Sequence, residues 1–244
     1  MVEISLSCRK PLLSDPGPLL STAGALGVGL VGISDDLSAA DPRTLEACRR
    51  QLILTNRRIV LLESPVPSDN RAAYRLVLRH AALLGIDLVK VPAPEAGDSP
   101  DTLREVCRMA KVYGIRILLE NTLHGPLSTV EGLEEVFSAL APEGAGWILD
   151  PRAIVRQRRH PFFHDFTRSR RKNDVAVLRL ADGRFDDGDP APLGQGDAEI
   201  KELVSILLAR SFRGPFSIVP DGPGCGPEEY RGTLRAFQDL LLSL

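Results

Sequence analysis

Gly114-Ile-Arg-Ile-Leu-Leu-Glu-Asn-Thr122 is an apolar run that ends abruptly in a carboxylate and an amide. Its Ile and Leu content and short length predict a parallel strand buried on both faces. The segment before it, Pro100 to Val112, places Leu103, Val106, Cys107, Ala110 and Val112 at helical spacing behind a Ser99-Pro100 start. A helix, a glycine and a buried strand in succession point to a parallel α/β sheet. In such sheets polar residues at the C-terminal strand ends face the mouth where ligands bind. Glu120 is therefore the first candidate for chemistry, although a carboxylate there can also cap the next helix or pair with an arginine.

The same alternation runs outward in both directions. Strands are expected at Val2 to Cys8, Gly29 to Ser34, Ile59 to Glu63, Asp87 to Val91, Trp147 to Asp150, Asp174 to Leu180 and Pro215 to Val219. Helices are expected at Leu19 to Gly27, Pro42 to Arg57, from Asp69 or Asn70 up to Gly85, from Ser128 or Thr129 to Leu140, Ala198 to Arg210 and Glu228 to Leu242. An irregular helical region follows Asp150. Eight strand and helix units in 244 residues match a single (β/α)8 TIM barrel, an α/β fold forming one domain over residues 1–244. An open doubly wound sheet is the competitor, but Ser7 to Gly17 lacks the spacing of a Gly-rich phosphate turn.

With 43% hydrophobic and 25% charged residues, the composition is that of a globular protein with a large core, which excludes disordered and collagen-like classes. Lys+Arg 30 against Asp+Glu 32 leaves a net charge of -2, so the whole chain has no bias toward nucleic acid or anionic membrane. The local exception is the run Arg152, Arg156, Arg158, Arg159, His160, Arg168, Arg170, Arg171 and Lys172, interleaved with Phe162, Phe163 and Phe166. It is either a solvated helix face or an anion-binding surface. Cys8, Cys48, Cys107 and Cys225 are scattered and read as reduced thiols. The N-terminus has no signal-peptide pattern and no apolar run reaches membrane-spanning length, so a cytoplasmic protein is expected, with homo-oligomerisation left open.

In a barrel the strand ends bring Cys8, Asp35, Glu63, Lys90, Glu120, Asn121, Asp150, Arg152, Arg179 and Asp182 toward one mouth. Carboxylates gathered there need a cation between them, because two like charges about 4 Å apart cost on the order of 4 kcal/mol at an effective dielectric near 20. A divalent metal or a guanidinium can serve. Lys90 either neutralises a substrate anion or pairs with Glu63 or Glu120. His124, with an unperturbed pKa near 6.5, is a candidate general base or a solvated loop residue. Gly194 and Gly196 can bind a phosphate through backbone N–H groups or simply turn the chain into a helix.

Several of these residues carry a resemblance. Leu119-Glu120-Asn121, Leu149-Asp150, Val177-Leu178-Arg179-Leu180-Ala181-Asp182, Pro192-Leu193-Gly194-Gln195-Gly196-Asp197 and Phe212-Arg213-Gly214-Pro215-Phe216-Ser217 resemble the xylose isomerase-like sugar phosphate isomerase/epimerase family, whose barrel is shared with apurinic endonucleases. The resemblance implies one metal ion held by a Glu ending strand five, an Asp ending strand six, a His on strand seven and a Glu ending strand eight. Glu120 and Asp150 match the first two. Arg179 stands in place of the His, Val219 in place of the last Glu, and Ala153 where a further His often stands.

An arginine has no lone pair for a metal and its charge opposes one. The Arg179 guanidinium is therefore expected in the metal's place, bridging Glu120 and Asp150. No cofactor is expected; a divalent Mn, Mg or Zn ion would have only Glu120 and Asp150. By resemblance, Glu120 and Asp150 are the catalytic candidates for proton abstraction next to a carbonyl. Lys90, Asn121, His124, Arg152, Arg179 and Asp182 are the substrate-binding candidates, for a small sugar or sugar phosphate. The alternative is a degenerate barrel that binds without catalysis. A nucleic-acid partner is not expected, since the endonuclease branch needs more metal-binding His than the four present.

Overall fold

A computed structural model of the protein describes residues 2–221 and 224–244. Eight parallel strands close into a barrel: β1 (Ile4–Cys8), β2 (Leu30–Ser34), β3 (Arg58–Glu63), β4 (Leu88–Lys90), β5 (Arg116–Glu120), β6 (Gly146–Leu149), β7 (Val175–Arg179) and, after a short hairpin, β10 (Phe216–Ile218). The ring shuts where β1 pairs with β10, with Ile4 opposite Phe216 and Leu6 opposite Ile218. The helices are α1 (Gly17–Ala25), α2 (Pro42–Thr55), α3 (Arg71–Leu83), α4 (Pro100–Val112), α5 (Val130–Leu140), α6 (Pro151–Val155), α7 (Ile200–Ala209) and α8 (Pro227–Leu242). The (β/α)8 expectation holds.

Local chemistry sets the helix starts. The Asp41, Asn70, Ser99 and Thr129 side chains accept N–H bonds from the first turns of α2, α3, α4 and α5, and Pro occupies the first position of α2 and α4. The region after Asp150 is irregular, as expected: α6 is a short helix followed by a π-helical turn at Pro161–Phe166. The hairpin pairing β8 (Asp182–Gly183) with β9 (Pro190–Ala191) is not anticipated by the sequence, because two-residue strands have no periodicity to detect.

Period-two alternation positions the interior. Leu118, Ile148, Val60, Leu61, Ala176 and Val177 form an apolar plug along the axis, separate from the larger core between strands and helices. Val60 and Leu61, adjacent in sequence, both join the plug because the β2–β3 register shifts there; Ala176 and Val177 do the same at the β6–β7 shift. Two residues beyond the plug, the alternation brings Glu63, Glu120 and Arg179 to the top of the barrel interior. At Gly32 a Cβ would lie 2.2 Å from Ser7 Oγ, so the side-chain-free residue lets β1 and β2 pack closely.

The four reduced thiols expected from the sequence are corrected. Cys8, at the end of β1, is disulfide-bonded to Cys225, just before α8, with Cα atoms 6.2 Å apart. Scattered spacing hides this pair because barrel closure brings the first and last strands together. The thiol argument for a cytoplasmic location therefore lapses. Among the described residues no helix is long and apolar enough to cross a membrane. Cys48 and Cys107 remain free and buried, and burial pushes their thiols up to about 11 and about 12. Thiol titration of the denatured, unreduced protein is expected to find two reactive groups, rising to four after reduction; four without reductant would remove the Cys8–Cys225 link.

Candidate functional site

The top layer of the barrel interior is a closed ring of alternating charge. Arg179, 1% exposed, donates from Nε to Glu120 Oε1 at 2.7 Å and from Nη2 to Glu63 Oε1 at 2.6 Å. Lys90 Nζ donates to Glu63 Oε2 at 3.0 Å and also to Glu120 Oε2, closing the ring. The remaining guanidinium nitrogen, Nη1, donates to Ser217 Oγ at 3.0 Å, and Ser217 Oγ lies 2.9 Å from Ser7 Oγ. Two carboxylates and two cations, taken from β3, β4, β5 and β7, thus neutralise one another inside the barrel.

The expected Arg179 bridge runs to a different partner. It joins Glu120 to Glu63 across the barrel, whereas no hydrogen bond links it to Asp150. The Asp150 carboxylate turns to the start of α6 and accepts from the Arg152 and Ala153 N–H groups at 3.0 and 3.4 Å. This is the usual preference of an aspartate ahead of a helix. Glu63, which lies 57 positions before Glu120, is the residue that the family pattern overlooks; its place at a strand end was the available signal.

These bonds set the electrostatics. Burial works to raise the Glu63 carboxyl, but Arg179 and Lys90 outweigh it and pull it from 4.5 down to about 2. The same balance lowers Glu120. Burial works to lower Lys90, yet Glu120 and Glu63 hold it above its ordinary value. Asp150 moves the other way: burial raises its carboxyl, and the nearby Glu120 charge adds to the effect.

The other sequence candidates fall into two groups. Asn121 holds the wall: its Oδ1 accepts from Trp147 Nε1 and the Asp150 N–H, and its Nδ2 donates to the Asp150 carbonyl. Asp182 builds a loop, accepting from the N–H groups of Gly183, Gly194, Gly196 and Ala198 at 2.8 to 3.1 Å. A Cβ at Gly196 would lie 2.3 Å from Asp182 Oδ1, so the Pro192 to Asp197 loop wraps a carboxylate of its own chain. Arg152 pairs with Asp221, and His124 is an exposed loop residue. In the basic run, Arg159 pairs with Asp165 at 3.1 Å and Arg171 lies within 3.6 Å of Asp174. Part of that run is therefore used to tie the segment down.

A divalent ion does not fit this donor set. Both Glu120 oxygens receive cationic donors, Asp150 caps a helix, Arg179 has no lone pair and Val219 has no side-chain donor. Among the described residues no group of three or more His, Cys, Asp or Glu is arranged to hold a metal.

Removing one partner should be costly, because it leaves buried charge uncompensated. Arg179→Leu is expected to destabilise the protein by about 3–5 kcal/mol in urea titrations, and Arg179→Lys by less. A loss below about 1 kcal/mol for Arg179→Leu would mean that the ring contributes little. Because the folded Glu63 carboxyl titrates below its unfolded value, its contribution is complete above pH 4.5 and is lost as pH falls toward 2. Glu63→Gln should flatten that acid limb of the stability profile.

Comparison with solved structures finds the same architecture at low identity. A xylose isomerase domain protein from Planctomyces limnophilus superposes with TM-score 0.78 at 14% identity, covering 98% of this chain and 96% of the other. A xylose isomerase-like TIM barrel protein from Mycobacterium smegmatis, in complex with magnesium, gives 0.74 at 16%, covering 99% and 98%. D-psicose 3-epimerase with D-tagatose, from Clostridium cellulolyticum H10, gives 0.70 at 12%, covering 98% and 99%. No curated protein matches the sequence. The model of the xylose isomerase-like TIM barrel family matches residues 20–240, and the chain belongs to that family.

Proposed function

We propose that this chain is a divergent sugar (phosphate) isomerase/epimerase-like barrel that binds a small polar, carbohydrate-like molecule at its mouth without catalysing a reaction on it. The observation that carries this reading is the Arg179 bridge between Glu120 and Glu63. An efficient general base has a pKa near the working pH, and carboxylates pulled below their ordinary values by Arg179 and Lys90, as Glu63 and Glu120 are, are weak proton acceptors.

What the ring retains is hydrogen-bonding capacity. Lys90 spends two N–H groups on Glu63 and Glu120, which leaves one for a ligand, and its side chain is 24% exposed. The carboxylate oxygens keep further lone pairs for hydroxyl donors. Arg152 and His124 lie on the segments after β6 and β5, where they can meet the outer part of a ligand. We assign Asn121 and Asp182 to holding the walls. The likeness in fold to a D-psicose 3-epimerase with D-tagatose supports a carbohydrate as the ligand class.

One observation favours a catalytic second reading. Burial and the nearby Glu120 charge raise the Asp150 carboxyl whereas Glu120 is lowered, so Asp150 takes a proton more readily than Glu120. Calorimetry against ketoses and ketose phosphates, paired with incubation in heavy water, separates the two. We expect saturable binding of at least one compound, weakened by Lys90→Met, and no carbon-bound deuterium with or without added manganese or magnesium. Deuterium incorporation that Asp150→Asn abolishes would establish the second reading. No binding across the panel would overturn the first.

A further inference from the structure

The barrel end opposite the mouth holds a concavity of about 450 Å³. It is formed by residues that begin strands. The alternation that carries Glu63 and Glu120 to the top carries Arg58, two residues before Val60, and Arg116, two before Leu118, to the bottom. Lys172 joins them from the turn before β7, and Arg210 and Arg213 from the connection between α7 and β10. Val60, Leu88 and Ala176, at the lower end of the axial plug, form an apolar floor.

The charge here is one-sided. Five cations line the concavity against two acids, Glu3 and Asp87, in a chain whose net charge is -2. Neutralisation is slight: Arg58 reaches Asp87 only at 3.8 Å. Arg116 donates to the Gly144 and Ala145 carbonyls at 3.0 and 3.2 Å, and Arg210 to the Asn173 amide oxygen at 2.6 Å. These acceptors are neutral. Asp174, at the edge, lies 3.6 Å from Arg171, which is outside the concavity. Burial lowers the Arg116 guanidinium from its ordinary value, with only partial relief from Asp174. An anion in the concavity would supply the missing counter-charge.

We propose that this basal concavity binds a small organic phosphate with at least two negative charges and an apolar or aromatic body resting on the floor. Guanidinium groups present paired N–H donors that match phosphate oxygens, which suits Arg58, Arg116, Arg210 and Arg213. The volume is within the usual range of small-molecule sites, roughly 300–1,000 Å³. The site lies on the far side of the apolar plug from the charge ring and stands or falls independently of the mouth.

Calorimetric titration with ATP and with pyrophosphate tests it. The variants are Lys172→Glu combined with Arg213→Glu, and, as a control on the exposed face of α8, Arg235→Glu. Expected is saturable one-to-one binding of ATP that weakens with salt, falls at least about tenfold in the double variant and is unchanged by the control. Pyrophosphate binding as well would assign recognition to the phosphates; binding of ATP alone would add the floor, and both outcomes support the site. No saturable binding of either probe, undiminished binding in the double variant, or binding of a single-stranded oligonucleotide alone would overturn the proposal. Should the double variant fail to fold, the Arg58 and Arg116 side-chain N–H resonances of the unaltered protein decide. Shifts there on adding ATP support the site, and shifts confined to mouth residues overturn it.

Discussion

Four charges closed into a ring inside a barrel are the constraint on which the mouth depends. Glu63 and Glu120 cannot sit unshielded in the barrel's upper interior, and each takes one bond from Arg179 and one from Lys90. Buried ion pairs do not as a rule add stability over apolar residues of similar size, because desolvation offsets the attraction. What they impose is mutual dependence. Once three members are present, the fourth cannot be removed without leaving charge uncompensated. The ring therefore also determines what the site can do, since the bonds that neutralise the carboxylates lower their proton affinity.

Much of the barrel was legible because its determinants are local. Apolar runs, caps such as Ser99 and Asn70, and prolines at helix starts are read within a few residues of one another. The central role of Arg179 was also legible, since a guanidinium at a family metal position has few physical explanations. Its second partner is Glu63 rather than the expected Asp150, because Asp150 has a competing local use at the α6 N-terminus that adjacency in the family pattern conceals. Glu63 and Cys225 share a different difficulty. Their partners lie 116 and 217 positions away, and only closure of the sheet brings them near.

The register shifts show how small features of the sheet decide chemistry. A strict alternation down β3 from Arg58 would put Glu63 on the outward face, because the two are five positions apart. The shift at Val60 reverses the parity, so that Arg58 stays at the base while Glu63 reaches the top layer. β7 uses the shift at Ala176 in the same way to bring Arg179 inward. Two of the three ring members that the family pattern does not supply, Glu63 and Arg179, thus come from bulged strands. The two unbulged contributors, Lys90 on β4 and Glu120 on β5, need only the ordinary pleat.

A metal ion and a guanidinium solve the same problem of like-charged carboxylates, but they leave different sites behind. An ion exchanges coordinated water for substrate oxygens and polarises them. The Arg179 guanidinium makes its bonds to Glu63, Glu120 and Ser217 in a fixed plane, and at 1% exposure it offers little to an incoming molecule. Lys90, with its side chain 24% exposed, is the ring member most open to solvent. An arginine at position 179 therefore changes more than metal affinity: it fixes both carboxylates in place and leaves Lys90 as the ring's most exposed member.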